Sequence, residues 1–217
     1  MMRKRLLMIL LLLFLNGCYE MSRIKDGYSF KELGALSSNQ VWVYLCGLVK
    51  NFNADEMEEL KVLQVLGKKY NIKFLAIVPK ERCAYLNNSL CWPQDSQEEL
   101  LDTYRKILNS LHHYKIQGYI GFSNGGFFLN KLVQFVELDT PIISVGSAGK
   151  IINNTGPKNN IYLLIGKDDQ WHYEPAVNFY KASKNSNLTI NFIEYQNGHL
   201  LPLEILSDTL KNIMQQS

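Results

Sequence analysis

The sequence lacks the features that mark several large classes of protein. No internal repeat or low-complexity tract occurs in its 217 residues, and no apolar run reaches the about 20 residues that a bilayer span needs. The four cysteines form no Cys-x-x-Cys pair, and they do not combine with the four histidines at zinc spacing. We therefore expect no metal site and no cofactor. With 47% hydrophobic and 20% charged residues, the chain has the composition of one globular domain with a core.

An excess of positive charge is also missing once processing is considered. The formal net charge is +3, and Arg3, Lys4 and Arg5 lie in a basic stretch at the N-terminus. If this stretch is removed, no net charge remains. A protein that binds nucleic acid needs a basic surface to neutralise phosphates, so nucleic acid is not an expected partner.

The N-terminus reads as an export signal. The basic stretch precedes an uninterrupted apolar run from Leu6 to Leu15, and small Gly17 follows closely. A run of this length spans only about half of a bilayer core, so residues 1–17 are predicted to be a signal peptide rather than a membrane span. The mature protein is therefore expected to be exported, to the bacterial cell envelope or as a secreted protein.

The residues before Cys18 resemble a bacterial lipobox, with the sequence Leu-Asn-Gly-Cys. This resemblance implies that Cys18 is lipidated and becomes the new N-terminus, with asparagine an unusual residue within the motif. Two or more acyl chains would hold the domain at a membrane surface facing the periplasm. The alternative is ordinary signal cleavage with a free thiol at Cys18.

The other cysteines have separate interpretations. Cys83 and Cys91 flank the short polar loop "AYLNNSL", and an exported protein meets oxidising conditions. We therefore predict a Cys83–Cys91 disulfide that closes this loop. Cys46 lies within an apolar run and is expected to be a small buried side chain.

Apolar runs alternate with helical patterns along most of the chain. Such alternation predicts an α/β fold, a doubly wound and mostly parallel sheet flanked by helices on both faces. We assign residues 18–37 to a polar tether that leads into a first edge element, and residues 38–217 to the folded domain. The predicted strands are residues 41–47, 73–79, 117–121, 141–146, 161–166 and 188–195.

A candidate nucleophile lies at one strand end. Residues 121–125, Gly-Phe-Ser-Asn-Gly, fit the pattern Gly-x-Ser-x-Gly between a predicted strand and a predicted helix. In such a turn the glycines avoid backbone collisions and Ser123 is exposed above the sheet. The amide of Asn124 would then point toward an oxyanion formed on the serine. A glycine-rich helix start with a capping serine is the alternative.

A serine nucleophile needs a base and an orienting acid, and later strand ends supply both. His199 follows the last predicted strand in "QNGHLLP", and either Asp168 or Asp169 follows the strand at 161–166. Trp171 and His172 come next and are candidates for the wall of the substrate pocket, the alternative being that they pack this loop against the next helix. Because His172 lies on the same loop as the acids, it is a weaker candidate for the base than His199.

Together these strand-end motifs resemble the α/β-hydrolases, in the chain order nucleophile, acid, histidine. The resemblance covers Val41 to about Met214 and implies a small serine esterase with the triad Ser123, Asp169 and His199. The Gly-x-x-D pattern of the family selects Asp169 as the acid. The family also takes a second oxyanion amide from an early strand end, which here falls on Leu48, although a cysteine replaces the usual histidine two residues earlier.

The predicted function is that of a serine hydrolase. Members of the family often insert a lid before the strand that carries the acid, whereas only residues 147–160 are present here. We therefore expect an open cleft and a small-molecule ester or thioester as substrate, cleaved through an acyl-enzyme on Ser123. The alternative is a non-catalytic envelope lipoprotein that uses the same fold as a binding scaffold. The sequence carries no prediction of oligomeric state.

Overall fold

A computed structural model describes residues 28–49, 57–84, 86, 88–93 and 95–216. The predicted signal peptide, Cys18 and residues 19–27 lie outside the described residues. None of the helices within the described ranges is both long and apolar enough to cross a membrane.

The domain is built around a seven-stranded sheet of the predicted α/β type. Its strands, in chain order, are β1 (Phe30–Gly34), β2 (Val41–Leu45), β3 (Lys73–Ile77), β6 (Ile116–Phe122), β7 (Ile142–Val145), β8 (Asn159–Gly166) and β9 (Leu188–Tyr195). Strands β4 (Glu81–Arg82) and β5 (Leu90–Cys91) form a separate small sheet. The order across the sheet is β1-β3-β2-β6-β7-β8-β9. Only β1 runs antiparallel to its neighbour, and every other pairing is parallel. All six strands predicted from the sequence are present.

Five described helices cover both faces of the sheet. They are α1 (Glu58–Tyr70), α2 (Gln97–Ser110), α3 (Asn124–Leu132), α4 (Tyr173–Ser183) and α5 (Leu203–Gln216). Helices α2, α3 and α4 pack on one face and α1 and α5 on the other, in two separate apolar cores. Strand β2 supplies both cores from alternate positions, with Val43 on one side and Tyr44 on the other. All five of its residues are buried, as the continuous apolar run predicted.

Helix α2 begins where the sequence indicates. Ser96 precedes the helix in extended conformation, and its hydroxyl accepts a hydrogen bond of 3.1 Å from the backbone N–H of Glu99. This bond satisfies one of the amides that a helix N-terminus leaves unpaired.

Strand β1 falls within the range assigned to the tether. Tyr28, Phe30 and Leu33 are buried against the sheet, so the packed domain includes residues before the predicted boundary at 38. A five-residue edge strand paired on one side only has too few apolar positions to stand out in a polar segment.

A second small sheet lies outside the main one. It consists of β4 (Glu81–Arg82) and β5 (Leu90–Cys91), paired antiparallel. Cys83 and Cys91 form the predicted disulfide, with their Cα atoms 5.4 Å apart, and Cys46 is a buried free thiol as expected.

Candidate active site

Ser123 occupies a strained turn between β6 and α3. Its φ is 50° and its ψ is −118°, a conformation that costs a non-glycine residue on the order of 1–3 kcal/mol. Two hydrogen bonds hold it, from the Ser123 amide to the carbonyl of Val145 (2.9 Å) and from the Phe127 amide to the Ser123 carbonyl (3.0 Å). The turn is thus fixed by the neighbouring strand and by the first turn of the helix.

The two glycines of the motif are required by close backbone contacts. A Cβ on Gly121 would lie 2.6 Å from the carbonyl oxygen of Gly125, and a Cβ on Gly125 would lie 2.2 Å from the carbonyl oxygen of Leu45. No side chain fits at either position, since helix α3 starts directly over the ends of β2 and β6. The Gly-x-Ser-x-Gly pattern therefore reflects the packing of this helix start.

Asp169 follows β8 and is the acid that contacts His199. Its side chain is 1% exposed, and its Oδ2 accepts a hydrogen bond of 2.7 Å from Nδ1 of His199. Asp168 points elsewhere, with its Oδ2 accepting the backbone N–H of Asn197 at 3.2 Å. Of the two candidate acids, only Asp169 is in contact with the histidine.

His199 lies over the carboxyl ends of the central strands, beside the serine turn. Its ring stacks on Phe122 at a centroid distance of 5.0 Å, and a Cβ on Gly146 would come within 3.1 Å of that ring. The Ser123 hydroxyl makes no hydrogen bond to His199 within the described part of the chain. Catalytic hydrogen bonds of ligand-free enzymes are often formed only when substrate binds.

The charge of Asp169 is stabilised by its neighbours. Burial acts to raise the pKa of the carboxyl, but hydrogen bonds from His199 and then His172 outweigh it and leave the pKa below its usual value. The carboxylate is therefore ionised at neutral pH and can stabilise an imidazolium beside it.

His172 also contacts this carboxylate. Its Nδ1 lies 2.9 Å from Oδ1 and 3.1 Å from Oδ2 of Asp169, and its ring is 4.5 Å from that of His199. His172 was predicted to lie in the pocket wall and its contact with Asp169 was not predicted, although the two residues are only three positions apart in the loop before α4. These three side chains also offer the donor types of a metal ligand set.

The predicted pocket residue Trp171 is 83% exposed. It is neither packed beneath the loop nor part of an enclosed wall, so most of its indole is open to solvent. The segment between β7 and β8 contains no helix or strand, in agreement with the predicted lack of a lid at this position.

Gly47 and Leu48 lie beside the serine turn. A Cβ on Gly47 would be 3.2 Å from the Cβ of Ser123. The next residues pair with the disulfide-closed segment, through two backbone hydrogen bonds between Val49 and Leu90 of 3.1 and 2.8 Å. The loop that carries the Leu48 amide is therefore held at the serine by an added two-residue pairing.

Trp92 connects this loop to helix α3 and was not singled out from the sequence. Its indole N–H donates to the carbonyl of Cys46 (2.7 Å), and its backbone N–H donates to Oδ1 of Asn124 (2.7 Å). The side chain is buried and packs between Tyr28, on which it stacks, and the tilted ring of Phe128. Trp92 thus contacts the segments of both residues predicted to offer oxyanion amides. It bonds the side chain of Asn124 directly, and it bonds the carbonyl of Cys46, two residues before Leu48.

Comparison with known structures identifies the fold. No protein-family model matches the chain, and no curated protein matches it in sequence. Esterase PE8 is 15% identical over 86% of this chain and 99% of its own, with a TM-score of 0.64. A Bacillus cereus carboxylesterase is 12% identical over 94% and 98%, with a TM-score of 0.63. Zea mays acyl-protein thioesterase 2 is 17% identical over 86% and 97%, also with a TM-score of 0.63. The chain has the α/β-hydrolase fold.

Proposed function

We propose that this protein is a serine hydrolase that cleaves small carboxylic esters or thioesters through an acyl-enzyme on Ser123. The observation that carries the proposal is the strained Ser123 turn at the same sheet edge as the hydrogen-bonded Asp169–His199 pair. Structural similarity to esterases and a thioesterase supports the reaction class at the level of the fold.

In the proposed reaction, Nε2 of His199 takes the hydroxyl proton as Oγ of Ser123 attacks the carbonyl carbon. Asp169 holds the imidazole through Nδ1 and stabilises its charged form. The amides of Asn124 and Leu48 donate to the oxyanion of the tetrahedral intermediate. His199 then protonates the departing alcohol or thiol, and a water activated by the same histidine releases the acid.

The proposed substrate class is supported by the described surroundings of the site. The segment 147–158 forms no helix that would cover Ser123, and Trp171 is exposed at the same loop as the acid. Within the described part of the chain no helix covers Ser123, and such a site offers little enclosed apolar surface for a long acyl chain. A series of p-nitrophenyl esters should therefore show the highest kcat/KM for short acyl chains. A preference for long chains would contradict this part of the proposal.

The direct test is labelling with a fluorophosphonate probe. Wild-type protein should react at Ser123, and Ser123→Ala should not, with circular dichroism showing that the variant is folded. Absence of labelling and of ester hydrolysis in the wild type would reject the hydrolase. That outcome would favour the non-catalytic binding scaffold, which no observation on the described residues supports.

We further propose that the protein is exported and anchored by lipidated Cys18. This proposal rests on the sequence alone, since Cys18 lies outside the described residues. Radiolabelled palmitate should be incorporated into the wild type and lost in Cys18→Ser. Incorporation that persists in the variant would refute the anchor.

A further inference from the structure

The carboxylate of Asp169 receives two imidazoles from different loops. His172 comes from the start of α4 and His199 from the loop after β9, and both present Nδ1 to the carboxylate, at 2.9 and 2.7 Å. One orienting bond, from His199, is all that the proposed hydrolysis needs. The contact between His172 and Asp169 therefore has no role in the proposed hydrolysis.

The three donors have the types and spacing of a transition-metal site. One ligand atom from each of Asp169, His172 and His199 lies within 4.8 Å of the other two. Ligands at about 2.0–2.2 Å from a tetrahedral ion lie about 3.3 Å from one another. The distances from Oδ2 of Asp169 to Nδ1 of His199 and of His172 are 2.7 and 3.1 Å, so each would need to open by only about half an ångström or less for the ion to enter.

Access and charge favour a cation at this position. The carboxylate is buried, but the side chains of His199 and His172 are 33% and 25% exposed, so an ion can arrive from the solvent side. With both imidazoles neutral the three ligands carry one negative charge. Two imidazole nitrogens and one carboxylate oxygen suit Zn²⁺ and other divalent transition-metal ions rather than Mg²⁺ or Ca²⁺. Three protein ligands leave a fourth position for water.

We propose that Asp169, His172 and His199 form a binding site for a divalent transition-metal ion such as Zn²⁺, and that its occupancy switches the hydrolase off. The binding part stands on the geometry of these side chains, whereas the inhibitory part rests on the proposed function. Spacing along the chain predicted no metal site, because these three residues do not form a metal-binding motif in sequence. The cluster arises only when the loops after β8 and β9 meet.

Inhibition follows from the histidine tautomer. In the metal-free site Nδ1–H of His199 donates to Asp169 and Nε2 holds the lone pair that accepts the serine proton. A metal bond at Nδ1 displaces that proton to solvent, and the ring takes up a proton at Nε2 to remain neutral. Nε2 then has no lone pair for Ser123, and Asp169 is occupied by the metal. No net proton or electron is consumed in this exchange.

Calorimetric titration of the full chain with ZnCl₂ tests the binding. We expect one ion per chain in the wild type and in Ser123→Ala, and at least about tenfold weaker binding in His172→Phe and His172→Gln. Glutamine keeps a donor for Asp169, so it separates metal binding from support of the carboxylate. The matched control replaces His112 and His113, an adjacent pair whose rings are 3.5 Å apart outside the site, with alanine.

Ester hydrolysis tests the inhibition, with each variant compared with its own metal-free rate. Zn²⁺ should abolish wild-type activity, EDTA should restore it, Mg²⁺ should have no effect, and the His172 variants should be at least about tenfold less sensitive. Zinc binding that depends on His112 and His113 but not on His172 would overturn the site. Binding without inhibition of an active enzyme would overturn the switch. Because Ser123→Ala still reports binding, a failure of the hydrolase proposal is recognised separately.

Discussion

Replacing Trp92 by phenylalanine should weaken the loop that carries the Leu48 amide. The indole N–H donates to the carbonyl of Cys46 at 2.7 Å, two residues before Leu48, and phenylalanine has no donor to replace it. The backbone bond from Trp92 to Asn124 does not depend on the side chain and should remain. The substitution therefore loosens one side of the proposed oxyanion site and leaves the other.

The cost in stability can be estimated from these contacts. Leaving the buried Cys46 carbonyl without its donor costs about 1–3 kcal/mol. The smaller ring leaves a void of about 40 Å³, which at about 24 cal/mol per Å³ adds about 1 kcal/mol. The sum of about 2–4 kcal/mol lowers Tm by about 5–15 °C in a domain of this size.

The expected catalytic effect is on kcat. Loss of one oxyanion donor costs about 10²–10³ in kcat, and a loop that is displaced only part of the time should cost about tenfold, with KM changed less than about twofold. Short-chain p-nitrophenyl ester hydrolysis gives both constants, and calorimetry gives Tm.

Trp42→Phe is the matched control for this substitution. Trp42 is buried near the opposite end of β2, against Gly118, so its loss should lower Tm but leave kcat unchanged. If Trp92→Phe lowers Tm and keeps the wild-type kcat, Trp92 acts through packing alone. The proposed link between this indole and the oxyanion site is then wrong.

The acid Asp169 and the serine turn are the subject of three further predictions. Asp169→Asn should lower kcat by about 10⁴, since Asp169 rather than Asp168 contacts His199. Asp168→Asn should lower kcat by less than about tenfold, and equal losses in the ester assay would contradict the assignment. Gly125→Ala should prevent folding or abolish labelling by a fluorophosphonate, since its Cβ would lie 2.2 Å from the Leu45 carbonyl oxygen; a folded and fully reactive variant would show that the helix start can move. The pKa of Asp169 is lower in the folded protein, so the unfolded chain binds this proton more tightly. The ionised Asp169 carboxylate therefore stabilises the fold above about pH 4, and this stabilisation is lost as pH falls below that value. Denaturant unfolding at a series of acid pH values should therefore show that the free energy of unfolding falls less with decreasing pH in Asp169→Asn than in the wild type. Equal dependence of this free energy on pH in the two proteins would contradict the prediction.

Much of the fold was predictable because the signals are local. The predicted strands at 41–47 and 161–166, for example, are continuous apolar runs, and burial on both faces of a parallel sheet demands such runs. The Ser96 cap is likewise set by residues three positions apart. Strand β1 gave a weaker signal because an edge strand needs few apolar side chains.

The site was predictable in part for the same reason. The Gly-x-Ser-x-Gly turn depends on one short segment, so its position at the end of β6 followed from the pattern. The partners of Trp92 did not, since the indole bonds Cys46, which is 46 residues away in sequence. No periodic pattern in the sequence predicts a contact between residues so far apart along the chain.

Local sequence patterns are enough to show that strands and helices alternate, that glycines flank Ser123, and that acidic and imidazole side chains follow later strands. Which of these side chains touch depends on how the strands and loops pack in three dimensions. Asp169 and His199 are 30 residues apart and meet because β8 and β9 run parallel and in register, ending at the same edge. That His172 shares the carboxylate depends on how α4 begins over this edge, because a hydrogen bond requires alignment within a few tenths of an ångström.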